Sequence, residues 1–160
     1  MLDSGESQYS MPTIKRFEDL HCWKSARDLV NMVYEATNQS PFNRDYGLRD
    51  QIRRAAVSVM SNIAEGFNAG SDAEFMRFLS FSRRSVSETQ SQSYIALDQK
   101  YITQSTFDQI YTKANETERQ VNALISYLNR SKTQFSAKEE KSTYTLNLPN
   151  AQDQLDISDM

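Results

Sequence analysis

Apolar residues recur at steps of three and four along four segments of the chain, and short polar breaks separate these segments. This spacing places the apolar side chains on one face of an α-helix. Four amphipathic helices with short connections predict an all-α fold, an antiparallel up-down four-helix bundle. The predicted helices cover about residues 19–39, 46–67, 71–99 and 104–130.

Local start and stop signals give the helix boundaries. Asp19 can serve as the N-cap of the first helix, and Ser40-Pro41 ends that helix. The second helix ends at Gly66 to Gly70, because glycine readily adopts the left-handed backbone conformation of a helix C-terminus. The third helix opens with Ser71-Asp72-Ala73-Glu74, a capping box in which serine and glutamate each bind the other's free backbone amide.

The second helix has a wider apolar face than one bundle core requires. One stripe on it consists of Leu48, Ile52, Ala55, Val59 and Ile63. Four further residues widen the apolar arc to about 200°, whereas a helix with one buried side needs about 100°. These four are Val57, Met60, Ala64 and Phe67. The surplus predicts a homo-oligomer with these residues at its interface. Deeper burial of the helix in its own bundle is the alternative.

Serines crowd the third helix, at positions 80, 82, 85, 87, 91 and 93. Small side chains permit close approach of helices, and a buried hydroxyl can bond to a carbonyl one turn earlier. We therefore interpret these serines as packing residues. A serine nucleophile would need a base, and the only histidine is far away in the sequence.

The chain divides into three parts. Residues 1–13 predict a disordered lead, 14–132 the bundle, and 133–160 a disordered acidic tail. Polar and apolar residues alternate in one part of the tail, Tyr144 to Leu148. For this part, a short strand that binds a partner is the alternative to disorder. The bundle carries 16 Lys/Arg against 14 Asp/Glu, a balance of +2, whereas the two ends carry 2 against 7, a balance of −5. The acidic total of −3 therefore belongs to the ends.

The sequence offers little for catalysis or cofactor binding. Glu18 and His21 have the Glu-x-x-His spacing of ferritin-like di-iron sites, but such a site needs that motif twice. Gly66 and Gly70 belong to no phosphate-binding glycine-rich motif. We therefore expect a protein that is not an enzyme and that takes no metal, cofactor or small-molecule substrate.

Cysteine usage and hydropathy bear on the compartment. The single cysteine, Cys22, excludes an internal disulfide and fits a reducing environment. No apolar run approaches the roughly 20 residues that span a bilayer, and the first residues do not form a secretory signal. These features predict a cytoplasmic protein that makes no contact with a membrane.

The arginines are the residues that indicate a binding function, with phosphate groups as the ligand. Arg77 and Arg84 are seven residues apart on the third helix and share one outward line, from which forked guanidinium groups can bind phosphates. The candidates for nucleic-acid binding are Lys24, Arg27, Arg49, Arg53, Arg54, Arg77, Arg83 and Arg84. A structural interpretation stays open as well. Arg84 and Glu88 have the spacing of a helical ion pair, and Arg49 and Arg53 can bridge to carboxylates of a neighbouring subunit.

The second helix also contains a string that resembles a family signature. Residues 51–66, Gln-Ile-Arg-Arg-Ala-Ala-Val-Ser-Val-Met-Ser-Asn-Ile-Ala-Glu-Gly, resemble that of the bacterial four-helix-bundle proteins first noticed in intervening sequences of 23S ribosomal RNA genes. The opening of that family is similar to Phe17-Glu18-Asp19-Leu20 with Trp23 and Ala26. Its third helix is similar to Glu74-Phe75 with Arg77-Phe78-Leu79. The similarity covers about Phe17 to Arg130.

The resemblance implies an assembly as well as a fold. Members form rings of up-down four-helix bundles, commonly pentamers. The resemblance also implies kinship with the accessory variability determinant of diversity-generating retroelements, a barrel that binds RNA and its reverse transcriptase through basic surface. No catalytic residues are known for the family. Within the signature, we expect Asn62 and Glu65 to cap or bridge the loop after Gly66 rather than to touch a ligand.

Together these observations predict a non-enzymatic, homo-oligomeric accessory or scaffold protein. Its expected partner is structured RNA or a nucleic-acid enzyme such as a reverse transcriptase. The alternative is a pure assembly or protein–protein interaction module that binds no nucleic acid.

Overall fold

Four α-helices dominate the computed structural model, which describes residues 13–135 and 146–147. Their bounds are His21–Asn38 (α1), Tyr46–Phe67 (α2), Asp72–Asp98 (α3) and Gln104–Phe135 (α4). The prediction of four helices is confirmed, and the bounds of α2 agree with the sequence pattern. The last helix continues five residues beyond the predicted end near Arg130. Most of the predicted lead and tail lies outside the described residues.

The helices pack as an antiparallel bundle in which each contacts its sequence neighbours and α4 closes against α1. Between α2 and α3, Ser82 Oγ donates to the carbonyl of Val59, and, further along α3, Gln92 Nε2 donates to Gln51 Oε1 near the start of α2. The numbers of the contacting residues therefore increase along α3 as they decrease along α2, so these two helices are antiparallel. On the opposite side of the bundle, the buried hydroxyls of Ser25 and Thr117 join α1 to α4 at 2.9 Å.

Polar side chains cap three of the four helices. Asp45 Oδ1 accepts from the amide of Leu48 at the start of α2, and Thr103 Oγ1 accepts from the amide of Thr106 at the start of α4. Ser71 Oγ accepts from the amide of Glu74 at the start of α3, which confirms the serine half of the predicted capping box.

The predicted N-cap of the first helix was wrong, although the helix itself and its end before Ser40-Pro41 were predicted correctly. Asp19 ends a short 3₁₀ turn, Phe17–Asp19, and Leu20 occupies the N-cap position of α1 without a side-chain cap. Leu20 is fully buried. Burial of this large apolar side chain, rather than a polar cap, fixes the start of the helix.

The interface between α2 and α3 is built from small residues. Ser85 Oγ donates to Ser58 Oγ at 2.9 Å, and Ser82 is buried against the backbone of α2. A Cβ on Gly66 would lie 2.7 Å from Phe75 Cδ2 and 2.8 Å from Phe78 Cβ. The glycine and the serines therefore allow the two helices to approach closely, which confirms the packing interpretation of the buried serines.

The broad apolar face of α2 is used mainly within the chain. Ile52, Val59 and Ile63 are at most 1% exposed. Met60 and Phe67 are half-buried and pack against the same core. Of the four predicted interface residues, Val57 is the most open, at 38% exposed, and Ala64 is half-buried. The apolar surplus on the outside of α2 is therefore narrower than the sequence pattern indicates.

A two-residue ladder lies beside the bundle. Thr13–Ile14 (β1) pairs antiparallel with Leu146–Asn147 (β2), and Ile14 joins the hydrophobic core. The second strand falls inside the alternating piece of the predicted tail, and here it pairs with its own chain. Within the described part of the chain, none of the helices combines the length and the apolarity needed to cross a bilayer.

Candidate nucleic-acid interface

Arg53 links α2 to the C-terminal end of α1. Its Nε donates to Thr37 Oγ1 at 2.7 Å, and its Nη2 donates to Asn38 Oδ1 at 2.8 Å. The guanidinium also lies 4.6 Å from the ring centroid of Tyr34. Thr37 is fully buried, and its hydroxyl donates a hydrogen bond to the carbonyl of Val33. Arg53 is therefore committed to contacts within its own chain.

Arg49 is committed in the same way. It forms a 2.9 Å ion pair with Asp50, donates to the carbonyl of Asn43 at 3.2 Å, and lies 4.8 Å from the ring centroid of Tyr46. Only 24% of its side chain is exposed. In the structure, Arg49 and Arg53 thus contact groups of their own chain: a carboxylate and a backbone carbonyl for Arg49, and a hydroxyl and a side-chain amide oxygen for Arg53.

Arg54 lies on the outer face of α2 and is exposed. It borders an open surface depression of about 430 Å³, together with Gln51, Ala55 and Ser58 of α2 and Glu88 of α3. One cation and one carboxylate in a depression this open give it no strong preference for either sign of ligand.

Arg77 and Arg84 flank an aromatic ring on the outer face of α3. Their guanidinium carbons lie 5.5 and 5.7 Å from the ring centroid of Phe81. Arg77 is 63% exposed and has a 3.4 Å contact with Glu74. Both arginines point away from the core, as their spacing predicts. The ring holds the two guanidinium groups near the surface of α3 while leaving their N–H groups available.

The predicted ion pair between Arg84 and Glu88 is not formed. In the described residues, the carboxylate of Glu88 accepts from Gln92 Nε2 at 3.2 Å, while Arg84 lies against Phe81. Arg84 therefore contacts the Phe81 ring, and Glu88 contacts the Gln92 amide, instead of each other. Arg84 is therefore free of any acidic partner within the described part of the chain.

The remaining candidates are exposed on α1 and α3. Arg83 is seven residues before Gln90, which contacts Asn115 of α4, so it lies on the α4 side of α3. Its carbonyl accepts from Ser87. Lys24 and Arg27 lie on α1, and Arg27 is 6.0 Å from the ring centroid of Trp23. The eight predicted candidates thus do not form one patch. They separate into a structural pair on α2, Arg54 alone on the outer face of α2, a pair on α1 and a group of three on α3.

A family model described as 23S rRNA-intervening sequence protein matches residues 18–123. The chain belongs to this family. Comparison with curated proteins found no match. Among solved structures, a protein of unknown function from the S23 ribosomal protein family of Bacteroides thetaiotaomicron matches with a TM-score of 0.61 and 21% identity. The match covers 66% of this chain and 95% of that chain. At this level of identity, the match establishes the shared fold.

One signature residue of this 23S rRNA-intervening sequence family member, Asn62, makes its hydrogen bonds within α2. Asn62 Nδ2 donates to the carbonyl and the hydroxyl of Ser58, one turn earlier in α2. The expectation that Asn62 reaches the loop after Gly66 was therefore wrong. Glu65 is exposed and makes no hydrogen bond or ion pair with another described residue, so the structure gives it no bridging role either.

Cys22 and Tyr101 are among the groups whose pKa values are shifted by their surroundings. Burial raises the pKa of the Cys22 thiol to about 12, because a thiolate would be desolvated in the core. The hydrogen bond from the Tyr101 hydroxyl to Asp45 raises the pKa of Tyr101. Among residues that the structure describes, no three His, Cys, Asp or Glu side chains come together as metal ligands.

Two further arginines were not among the predicted nucleic-acid candidates. Arg119 and Arg130 are exposed on α4, and neither forms an ion pair with another described residue. They are eleven residues apart, which corresponds to about three helical turns. That spacing could have indicated one shared line on α4.

Proposed function

We propose that this family member acts by binding RNA and does not catalyse a reaction. The observation that carries the proposal is the exposed pair of arginines, Arg77 and Arg84, held on either side of Phe81. Their seven-residue separation corresponds to about 10.5 Å along the helix axis. Two guanidinium groups at that separation can contact phosphates along one backbone.

The local contacts of these arginines favour a phosphate ligand. Stacking on Phe81 restricts the two long side chains before any ligand arrives, so less conformational entropy is lost on binding. The contact between Glu74 and Arg77 is long and exposed, and such pairs are worth only about 0–1 kcal/mol. A phosphate oxygen can therefore displace the carboxylate at little cost.

The name of the family makes ribosomal RNA the first ligand to test. The resemblance extends the proposal to a ring-like homo-oligomer, with five subunits favoured, and to a reverse transcriptase as a possible protein partner. Val57 and Ala64 on the outside of α2 are the residues we propose at the subunit interface.

A matched pair of charge reversals tests RNA binding. The Arg77→Glu/Arg84→Glu variant removes two cations beside Phe81. The Arg44→Glu/Lys100→Glu variant changes the net charge by the same amount at the other end of the bundle, where both residues are exposed. Fluorescence anisotropy with a labelled 23S ribosomal RNA hairpin at low salt should show at least tenfold weaker binding for the first variant only. Equal affinity of the two variants would contradict the proposed role of Arg77 and Arg84.

Assembly without RNA binding is the second candidate, and the exposure of Val57 supports it. A Val57→Glu variant places a charge on the outer face of α2 and should lower the mass measured by light scattering if that face joins subunits. If the Arg77→Glu/Arg84→Glu variant lowers the mass instead, while no RNA is bound by the unmodified protein, the assembly candidate replaces the RNA proposal.

A further inference from the structure

The outer part of α3 has an unusually one-sided charge. Residues 77–87 contain three arginines and no acidic residue. Arg83 and Arg84 are exposed and form no ion pair with another described residue, and Arg77 has only the long contact to Glu74. A helix stretch of this kind attracts anions unless a neighbouring element supplies carboxylates.

The neighbouring element on the Arg83 side is α4, and two contacts fix its register. Gln90 Nε2 donates to Asn115 Oδ1 at 2.7 Å, and the rings of Tyr94 and Phe107 lie 4.7 Å apart. Because the two helices are antiparallel, Arg83, two turns before Gln90, lies opposite the part of α4 two turns after Asn115, near Asn122. Arg119 lies one turn after Asn115, about 4.5 Å along α4 from that level.

Residues 115–130 of α4 contain two arginines and two glutamates, and the arginines are the more exposed of the four. Arg119 and Arg130 are exposed and form no ion pair with another described residue. Glu116 is already paired with Lys113 at 2.7 Å, and Lys113 also contacts Asp28 of α1 at 3.8 Å, so this carboxylate lies on the α1 side. Glu118, which is half-buried, is the other carboxylate of residues 115–130.

The five arginines Arg77, Arg83, Arg84, Arg119 and Arg130 define what we call the α3–α4 face. Packed helices are about 8–10 Å apart, and Arg119 and Arg130 are separated by about 16 Å along α4. The face therefore carries its charges in two rows, one on each helix. Polar side chains lie among the cations, including Ser87, Asn122 and Ser126.

Aromatic residues on the face are not available for stacking with bases. Both guanidinium groups beside Phe81 lie close to its ring, and the ring of Phe78 packs against it in a T-shaped arrangement, with the two ring centroids 6.1 Å apart. Tyr94 packs against Phe107 and Tyr111 and is 49% exposed, but it lies further along α3, outside residues 77–87. Single-stranded RNA is normally held by stacking of its bases on free aromatic rings, and this face lacks them among its described residues.

We propose that the α3–α4 face binds the backbone of double-stranded RNA. The inference rests on the proposed RNA-binding function and adds the ligand class and three residues, Arg83, Arg119 and Arg130. Two rows of arginines match the phosphates of a duplex, and the interspersed hydroxyl and amide groups can bind the 2′-hydroxyls of a shallow minor groove. Recognition of this kind reads the shape of the duplex rather than its sequence.

The test compares one 20-base-pair RNA duplex with one of its two strands as ligands for the full chain. We expect the unmodified protein to bind the duplex at least fivefold more tightly than the strand. The Arg83→Glu/Arg119→Glu variant should bind the duplex at least tenfold more weakly. The Arg44→Glu/Lys100→Glu variant, with the same change in net charge, should differ less than threefold from the unmodified protein. Thermal melting should show that all three proteins are folded.

The outcomes separate this inference from the proposed function. Two results would overturn the proposed duplex binding by the α3–α4 face while leaving RNA binding in place. One is equal affinity of the unmodified protein for duplex and strand. The other is equal duplex affinity of the Arg83→Glu/Arg119→Glu and control variants. If the unmodified protein binds neither RNA at low salt, the proposed function itself fails. If the Arg83→Glu/Arg119→Glu variant alone unfolds at a lower temperature, the single variants Arg83→Gln and Arg119→Gln are measured instead. Unchanged duplex affinity in both single variants would overturn the inference.

Discussion

Replacement of Gly66 by alanine tests the close contact between α2 and α3. The new Cβ would lie 2.7 Å from Phe75 Cδ2 and 2.8 Å from Phe78 Cβ. The ring of Phe75 can turn, but the Cβ of Phe78 is attached to the backbone of α3, so the two helices must separate. Overpacking of this kind costs about 1–3 kcal/mol, and the better helix propensity of alanine returns up to about 1 kcal/mol.

The expected result is a net loss of about 1–2 kcal/mol in the free energy of unfolding. Gly47→Ala is the matched control in the same helix, because the nearest atom to its new Cβ is Asp45 Oδ1 at 3.7 Å. That variant should gain up to about 1 kcal/mol. Urea unfolding at one protein concentration, with a slope of about 2 kcal/mol/M, should separate the two midpoints by roughly 1 M. A Gly66→Ala protein as stable as the Gly47→Ala protein would refute the close approach.

Three further predictions concern single contacts. Arg53→Ala should lower the free energy of unfolding by about 1–3 kcal/mol, because two charged hydrogen bonds to α1 are lost; Arg54→Ala should leave urea unfolding nearly unchanged. Thr117→Val should cost about 1–3 kcal/mol by leaving the buried Ser25 hydroxyl without its partner, and adding Ser25→Ala should recover part of that loss. Cys22 should react with a thiol reagent at pH 8 only after denaturation, since burial raises its pKa to about 12; fast reaction in the folded protein would contradict its burial.

The sequence was sufficient for the fold because hydrophobic periodicity and local signals agreed. The apolar period of α2 and the Ser71 cap of α3 both produced correct boundaries. The start of α1 was missed because a buried leucine, Leu20, replaced the polar cap expected at Asp19. Periodicity describes which face is apolar but not how deeply a neighbouring helix covers it. For this reason the burial of Met60 within its own bundle could not be read from the pattern.

The candidate interface was harder to predict than the fold. Spacing along one helix correctly placed Arg77 and Arg84 on an outward line. It could not distinguish Arg53 from them, because the partners of Arg53 lie on α1, sixteen and fifteen residues away. Arg119 was missed for the same reason. Its position beside Arg83 depends on the register between α3 and α4, which long-range contacts set.

The salt dependence of RNA affinity tests the central claim most directly. Each phosphate contact with a nucleic-acid duplex contributes a slope of about −0.9 to a plot of log association constant against log salt concentration. For the unmodified protein and an RNA duplex, the five arginines of the α3–α4 face predict a slope of roughly −3 to −4.5. The Arg83→Glu/Arg119→Glu variant should lower its magnitude by about 2. A slope near zero for the unmodified protein, or the same slope in both proteins, would contradict the account.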